Sequence, residues 1–306
     1  MTPLPNDLTP DEMLAGVSEY GTVVPVAVGE EKTLRRTIAK GIIHLIILNL
    51  IALIRTGHLG RGKAEDVAAF YEKAYGANKS LQLVDGQSSS RPILFRLGRH
   101  RVVKMNTATY RRFTVKCLGD IVAACEPNSI CEVGCGRGYN LFYLANRLPQ
   151  VRCTGYDISE NAIKSAIEMQ AMTDLPLTDY GKSLCLSEAN VDNVRKIDFR
   201  VGSAFSLPAA DKSFDLVYTS AALEQMHSNI GQALSELRRT ARRYVLMREP
   251  FAEGNDVLGR AFLWSQGYFR MRASELASHG LDPIRIWTEF PVKPKFAYSF
   301  VLCKVS

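Results

Sequence analysis

The chain has 306 residues, of which 46% are hydrophobic and 23% are charged, so it can bury a full core and is not a disordered protein. Its net charge of +7 favours anionic partners, but so small an excess is typical of a solvated surface and leaves nucleic acid a disfavoured partner. The length predicts one large domain with an extension, or two modest domains.

The seven cysteines include no Cys-x-x-Cys pair, and no histidine lies near enough in the sequence to complete a zinc site. We therefore expect no metal ion. An odd number of cysteines fits a reducing compartment, so a cytoplasmic location is predicted. A secretory signal has a basic segment followed by an apolar run, and residues 1–20 do not contain this pattern.

The most apolar stretch of the chain is residues 41–54. The helical segment before it carries four basic residues, Lys32, Arg35, Arg36 and Lys40. Because a membrane core requires about 20 predominantly apolar residues, a simple transmembrane span is disfavoured. Three interpretations remain open: a buried accessory helix, the interface of a homodimer, or an interfacial helix that makes peripheral membrane contact through residues 32–55.

A second helix is predicted near residues 64–75, and the polar run at residues 85–90 indicates a linker. The predicted boundary separates a mainly helical N-terminal accessory region, residues 1–90, from a second domain, residues 91–306. Directly after it, residues 91–116 contain eight basic residues and no acid. We interpret them as a solvated helix face plus a turn; the alternative is a patch that receives an anionic substrate.

Residues 129–141 predict a short buried strand, a tight turn and the start of a helix. In the turn, Gly134, Gly136 and Gly138 permit positive φ angles and let a ligand approach the backbone closely. The first N–H groups of the helix would point at that ligand. A dinucleotide-binding turn needs glycine where Tyr139 stands, so NAD is disfavoured.

The segment Glu132–Gly138, reading Glu-Val-Gly-Cys-Gly-Arg-Gly, resembles motif I of the class I S-adenosylmethionine (SAM) dependent methyltransferases. The resemblance covers roughly the last two thirds of the chain. It implies an α/β, Rossmann-like fold with a seven-stranded, mostly parallel sheet whose last strand is antiparallel, here with an N-terminal helical extension. It also implies SAM as the cofactor. The implied binding residues of this segment are Glu132, Gly134, Cys135, Gly136, Gly138 and Tyr139.

Later segments arrive in the order of the family. Asp157 ends the second predicted strand, 19 residues after Gly138, where the family places the acid that binds both ribose hydroxyls. A carboxylate suits this role because it can accept two hydrogen bonds from a vicinal diol. Ser203 stands where an acid usually binds the adenine amino group, which departs from the family pattern. The implied cofactor-binding residues of these segments are Asp157, Ile158, Ser203, Ala204 and Ser220.

The remaining predicted strands complete the sheet. The fourth strand begins with Phe-Asp at residues 214–215, the fifth covers residues 244–250, and two closing strands at residues 284–290 and 297–304 should form an antiparallel hairpin. An insertion at about residues 251–280 is rich in aromatic residues. It is either a lid helix that packs its own hydrophobic face or a wall of the acceptor pocket.

Methyl transfer from SAM requires alignment of a nucleophile and exclusion of water, and no metal. A hydroxyl acceptor also needs a general base. His227, just after the fourth strand, is the best-placed candidate because the carboxyl ends of the strands border the ligand crevice. Glu224 and Glu249 lie at similar strand exits and are the competing candidates, since an isolated histidine there is more often an ordinary surface residue.

The sequence therefore predicts a SAM-dependent methyltransferase that acts on oxygen or nitrogen of a small or lipid-linked molecule. An RNA methyltransferase, modifying ribose or base, is the alternative enzyme. The turn after the fourth strand reads Thr-Ser-Ala-Ala, which lacks the Asn-Pro-Pro-Tyr or Pro-Cys pattern of base-modifying relatives. A third alternative, from another functional class, is a non-catalytic protein of this fold that acts as a partner-binding or membrane-attached subunit. It is suggested by Ser203 and by Gln225, where the family often has histidine.

Overall fold

The structure is a computed structural model that describes residues 24–25, 28–56, 64–77, 93–97, 101–172, 191–226, 229–288, 291–292 and 296–306. Its α-helices are α1 (Val28–Thr56), α2 (Ala64–Ala77), α3 (Thr107–Ala124), α4 (Tyr139–Arg147), α5 (Glu160–Gln170), α6 (Val191–Val194), α7 (Ile230–Thr240) and α8 (Val257–Ser265). Short 3-10 helices cover Leu223–Gln225, Ala252–Gly254 and Ala273–His279.

The strands of the described residues fall into two sheets. They are β1 (Val24–Pro25), β2 (Ile93–Leu97), β3 (Arg101–Met105), β4 (Ser129–Val133), β5 (Arg152–Asp157), β6 (Asp198–Val201), β7 (Phe214–Ser220), β8 (Ala241–Glu249), β9 (Leu281–Trp287), β10 (Pro291–Val292) and β11 (Ser299–Val305).

The larger sheet has seven strands in the order β6-β5-β4-β7-β8-β11-β9. The five strands from β6 to β8 pair in parallel, and β11 runs antiparallel to both of its neighbours. The predicted α/β fold with an antiparallel last strand is therefore confirmed. The fifth strand begins at Ala241, three residues before the predicted position.

Two apolar layers hold this sheet between its helices. Successive side chains of a strand point to opposite faces, so Ile130 packs with the layer under α3 and α4, and Cys131 packs with the layer under α7. On α4, Leu141 and Leu144 are fully buried. Full burial of one such side chain stabilises the fold by roughly 1.5–3 kcal/mol.

A second, four-stranded sheet orders β1-β3-β2-β10, all antiparallel. Its central strands β2 and β3 pair over residues 93–97 and 101–105, where a solvated helix face and a turn were predicted, so that prediction is wrong for these residues of the basic stretch. The β-branched and aromatic residues of the two strands favour strands more strongly than the interspersed cations favour a helix. The second half does lie on a helix, α3, which begins at Thr107 with its N–H groups capped by Asn106.

Helix α1 contains the apolar residues 41–54 and continues well beyond them on the N-terminal side. It packs on α8, and Ile42 is buried. None of the described helices combines the length and apolar character needed to cross a membrane. The six cysteines in the described part of the chain are buried and form no disulfide.

Candidate functional site

The glycine turn after β4 is fastened to the end of β5 by Asp157. The N–H group of Gly136 donates to Asp157 Oδ2 over 2.7 Å, and the N–H group of Ser159 donates to Oδ1 over 2.9 Å. Gly136 has a φ of +53°, and a β-carbon there would lie 2.8 Å from the hydroxyl oxygen of Tyr75. The turn and the carboxylate thus form one unit at the carboxyl edge of the parallel strands.

The electrostatic environment of Asp157 is a balance of opposing effects. Burial raises the pKa of Asp157, whereas the N–H donors of Ser159 and Gly136 lower it; Glu72 raises it further. The net direction is upward. A hydroxyl donor that approached the carboxylate would replace lost hydration with hydrogen bonds and stabilise its ionised form.

A first cavity, about 840 Å³ of empty space, opens beside Asp157. It brings together residues of two strand exits that lie far apart in sequence: Asp157 and Ile158 after β5, and Ser203 and Ala204 after β6. The side chain of Ile158 is 43% exposed and offers an apolar surface to this space. Helix α2 contributes Ala68, Tyr71 and Tyr75 to the opposite wall.

A second, larger cavity of about 1950 Å³, open to solvent, lies on the other side of the glycine turn. Several predicted residues line it: Glu132, Gly134, Cys135, Gly136, Tyr139 and Ser220. The two cavities share Tyr71, Tyr75, Gly134 and Ala221, so they adjoin where β4 and β7 end. Gly138 lines neither of them; it starts α4 with a φ of +79°, and a β-carbon there would clash with the ring of Phe199.

Glu132 lies beneath the larger cavity and is buried. Its Oε1 atom accepts a hydrogen bond from Asn140 Nδ2 over 2.5 Å, and its Oε2 atom accepts one from the hydroxyl of Tyr218 over 3.0 Å. Burial raises the pKa of Glu132 to about 8, against the opposing effect of those two donors. This carboxyl group therefore binds a proton more readily than an exposed glutamate does.

The three candidate bases have different environments. Glu249 is fully buried, and its Oε1 atom accepts the N–H groups of Ala222 and Leu223 over 3.0 and 3.2 Å, so it holds the turn after β7 and lines neither cavity. Glu224 also lines neither cavity, because Tyr298 stands at the wall and donates to Glu224 Oε2 over 2.5 Å. These positions argue against both glutamates as bases. His227 lies outside the described residues.

The aromatic insertion packs on itself. The rings of Phe251 and Phe269 are both fully buried and meet edge-to-face with centroids 4.9 Å apart. None of the described residues that line the two cavities comes from residues 251–280. This arrangement matches the lid-helix interpretation rather than the pocket-wall interpretation. The aromatic residues that line the larger cavity come instead from other parts of the chain: Tyr71, Tyr75, Tyr110, Tyr139, Phe296 and Tyr298.

The sequence analysis missed the residues that α2, α3 and the end of β8 bring to the cavities. Arg248 is the clearest case: it is 8% exposed, lines the larger cavity and donates through Nη2 to the hydroxyl of Tyr110 over 2.8 Å. Its guanidinium carbon lies 4.4 Å from the ring centroid of Tyr298. A usable signal was present, since Arg248 and Glu249 are charged residues that end an otherwise apolar strand.

Part of the chain is similar to known proteins. Residues 131–244 match the family model described as a methyltransferase domain. The malonyl-[acyl-carrier protein] O-methyltransferase of Hahella chejuensis is 32% identical over 183 residues, which cover 58% of this chain and 50% of that protein. A probable chloroplastic tocopherol O-methyltransferase of Oryza sativa subsp. japonica is 33% identical over 116 residues, covering 38% of this chain and 26% of that protein. The chain thus spans half or less of the length of these relatives.

Two solved structures share the fold. The magnesium protoporphyrin IX methyltransferase ChlM from Synechocystis PCC 6803, with bound SAH, superposes with a TM-score of 0.53 at 14% identity, covering 80% of this chain and 100% of that one. The [4+2]-cyclase SpnF superposes with a TM-score of 0.52 at 15% identity, covering 81% of this chain and 98% of that one. Since one of the two is a cyclase, the fold alone does not specify the reaction.

Proposed function

We propose that this chain is a SAM-dependent methyltransferase that transfers a methyl group to oxygen or nitrogen of a small or lipid-linked molecule, because residues 131–244 match the model of a methyltransferase domain. The observation that supports this best is the unit formed by the glycine turn and Asp157, which lies between two adjoining cavities. When bound, SAM supplies a methyl group already activated by a sulfonium.

The residues of the site fit this cofactor. In the smaller cavity, Asp157 would bind the ribose hydroxyls, Ile158 would pack on the adenine ring, and Ala204 and Ser203 would border its polar edge. The glycine turn leaves room that a side chain would fill, so the backbone of Gly136 would face the methionine part in the larger cavity. Tyr71 and Tyr75, which line both cavities, would cover the cofactor and exclude water.

The curated relatives support oxygen as the acceptor atom and a carrier-linked or lipid-like acceptor, because both are named as O-methyltransferases, one of malonyl-[acyl-carrier protein] and one of tocopherol. The alternatives are an RNA methyltransferase and a non-catalytic protein of this fold. Ser203 and Gln225, which depart from the family pattern, are the observation that favours keeping the second alternative. Titration with SAM separates it from the enzyme, since a chain that does not bind millimolar SAM is not a SAM-dependent enzyme.

Asp157→Ala should weaken SAM binding at least about 100-fold, since it removes two charge-assisted hydrogen bonds. Gly136→Val should do the same, because its side chain would collide with Tyr75 and fill the cofactor cradle. The measurement is calorimetric titration, with thermal melts to show that the variants fold. Asp282→Ala, an exposed carboxylate on β9, is the matched control. Undiminished affinity in both site variants would contradict the assignment.

We further propose a cytoplasmic location with peripheral membrane contact through residues 32–55. The side of α1 opposite Ile42 carries a stripe of exposed apolar residues at helical spacing: Ile43, Ile47, Leu48, Ile51 and Ile54, the last 85% exposed. Arg36 and Lys40 are exposed one to two turns earlier, which suits anionic head groups. A homodimer formed through the same stripe is the competing occupant.

A further inference from the structure

The larger cavity is electropositive. Three arginines line it, Arg111, Arg137 and Arg248. Among its described lining residues the only carboxyl group is that of Glu132, whose pKa is raised to about 8 and whose two oxygens already accept hydrogen bonds. The described lining of this cavity therefore carries more positive than negative charge, separately from the charges on the outer surface of the protein.

Arg248 is the buried member of this set. Its described hydrogen-bond partners are neutral: Nη2 donates to Tyr110 over 2.8 Å, and Nη1 donates to Ser220 Oγ over 3.4 Å. The guanidinium forms no ion pair with a carboxylate in the part of the chain that the structure describes. A guanidinium cannot relieve its burial by losing a proton, so an anion in the cavity would stabilise it.

The position of Arg248 relates it to the transferred group. Arg248 and Ser220 are direct partners in the register of β8 and β7, and the N–H group of Ala221 donates to the carbonyl oxygen of Arg248 over 2.9 Å. Ala221 lines both cavities. The guanidinium therefore projects from the strand that flanks the junction of the two cavities, where donor and acceptor would meet.

We propose that the acceptor group is a carboxylate bound by Arg248, and that the product is a methyl ester. The proposal rests on the proposed function and specifies its substrate class. A planar guanidinium matches the two oxygens of a carboxylate better than it matches a hydroxyl or an amine. Each carboxylate oxygen that accepts an N–H group of Arg248 keeps a second lone pair, so the interaction orients the nucleophile without blocking its attack.

The chemistry balances without a general base. A lone pair of the carboxylate oxygen forms the bond to the methyl carbon, the carbon–sulfur bond breaks, and its electron pair goes to sulfur, which loses its positive charge. No proton is removed, in agreement with the positions of Glu224 and Glu249 outside the cavity wall. The ester is neutral and loses its charged interaction with Arg248, so it binds more weakly than the acid and leaves.

The decisive experiment incubates the purified chain with tritium-labelled SAM (label in the methyl group) and a small-molecule and lipid extract of cells. Alkali then releases labelled methanol from methyl esters but leaves methyl ethers and N-methyl groups intact. We expect most of the transferred label to become volatile. Label that is transferred but stable to alkali would overturn the carboxylate proposal. A chain that does not bind SAM, or that transfers no label, would instead refute the proposed function.

Variants connect the chemistry to the side chain. Arg248→Gln should lower the transfer rate about 100-fold, because the acceptor loses its charged partner, while the Kd for SAM stays within about twofold. Arg248→Lys, which keeps the charge without the planar fork, should retain kcat and raise the KM for the acceptor about tenfold. Arg243→Gln, on the exposed part of the same strand, is the control and should leave both unchanged. Wild-type transfer by Arg248→Gln would also overturn the proposal.

Discussion

Two glutamates at the ends of strands β4 and β8 are buried without a cationic partner in their described hydrogen bonds. Glu132 is held by Asn140 and Tyr218, and Glu249 is held by two backbone N–H groups. Burial raises the pKa of each to about 8, from an ordinary value of 4.5, and Glu224 adds to the shift of Glu249. A raised folded-state pKa contributes stability that is fully present below pH 4.5 and is lost as the pH rises through 8.

Glu249→Gln should therefore reduce the loss of stability between pH 5.5 and pH 8. A glutamine oxygen can still accept the two N–H groups of the turn but has no proton to lose. Each pKa unit corresponds to about 1.4 kcal/mol, so the free energy of unfolding should differ in its pH dependence by on the order of a few kcal/mol. Urea unfolding at the two pH values measures this difference.

The matched control is Asp192→Asn, an exposed carboxylate whose removal should leave the pH dependence as in wild type. Asp215 and Glu236 have lowered pKa values, so their contributions are lost as the pH falls below about 4.5, outside this window. An unaltered slope in Glu249→Gln would show that this carboxyl group titrates normally in the folded protein.

Helix α2 covers both cavities, and contacts of Glu72 and Tyr75 hold it in place. Glu72 accepts hydrogen bonds from Ser159 Oγ over 2.6 Å and from the N–H group and side chain of Asn161, at the N-terminus of α5. The positive end of the α5 dipole favours a carboxylate there. On the other side of the turn, Arg137 donates to the carbonyl oxygen of Tyr75 over 3.2 Å. These contacts hold Tyr71 and Tyr75 over both cavities.

Glu72→Ala should weaken SAM binding about tenfold. Without Glu72, α2 would cover the cofactor only part of the time, so the entropy lost on ordering the helix would oppose binding. Hydrogen exchange of the α2 amides should rise while that of β4 and β5 stays the same. Glu168→Ala, an exposed carboxylate on α5, serves as the control. Equal exchange of α2 in Glu72→Ala and wild type would show that other contacts fasten the helix.

The stripe of exposed apolar residues on α1, from Ile43 to Ile54, is not buried against the rest of the described protein. Helix α1 is 29 residues long, or about 43 Å, and binds the core through α8, where Asn49 donates to Ser265 Oγ over 3.3 Å. A stripe of this kind, beside exposed cations, is suited to lie in a membrane surface rather than to cross it. Such contact would bring the open, larger cavity close to lipid-linked acceptors.

The wild-type chain should co-sediment at low salt with vesicles that contain phosphatidylglycerol and should not do so with pure phosphatidylcholine vesicles. Ile47→Glu should abolish binding, since Ile47 is 50% exposed in the centre of the stripe. Ile167→Glu is the matched control, because Ile167 is 47% exposed on α5, away from α1. A dimer in sedimentation equilibrium that Ile47→Glu dissociates, without vesicle binding, would assign the stripe to a second copy.

The seven-stranded sheet with its antiparallel last strand, implied by the family resemblance, and the meeting of the glycine turn with Asp157 could be predicted from the chain alone. Periodicity and glycine spacing act locally: the run Ile130–Val133 forms a buried strand, three glycines make the turn, and Asp157 must follow at the edge of the next parallel strand. Parallel strands ending at one edge then bring such residues together whatever the rest of the chain does. The small sheet escaped prediction because its hairpin alternates cations with β-formers.

The lining of the larger cavity could be read only from the tertiary structure. Tyr75, Tyr110, Arg248 and Tyr298 are separated by up to 223 residues, and no local pattern encodes that α2, α3 and the segment just before β11 converge on the end of β8. Burial also decides which charged side chains can reach a ligand in the cavity. Glu249 is enclosed by the turn that it holds, whereas Arg248 faces the cavity. Residues of a single βαβ unit were enough to predict the fold class and the cofactor, because they contact one another locally. The lining of the larger cavity depends on long-range packing, because the effect of each charge there is set by the groups that surround it.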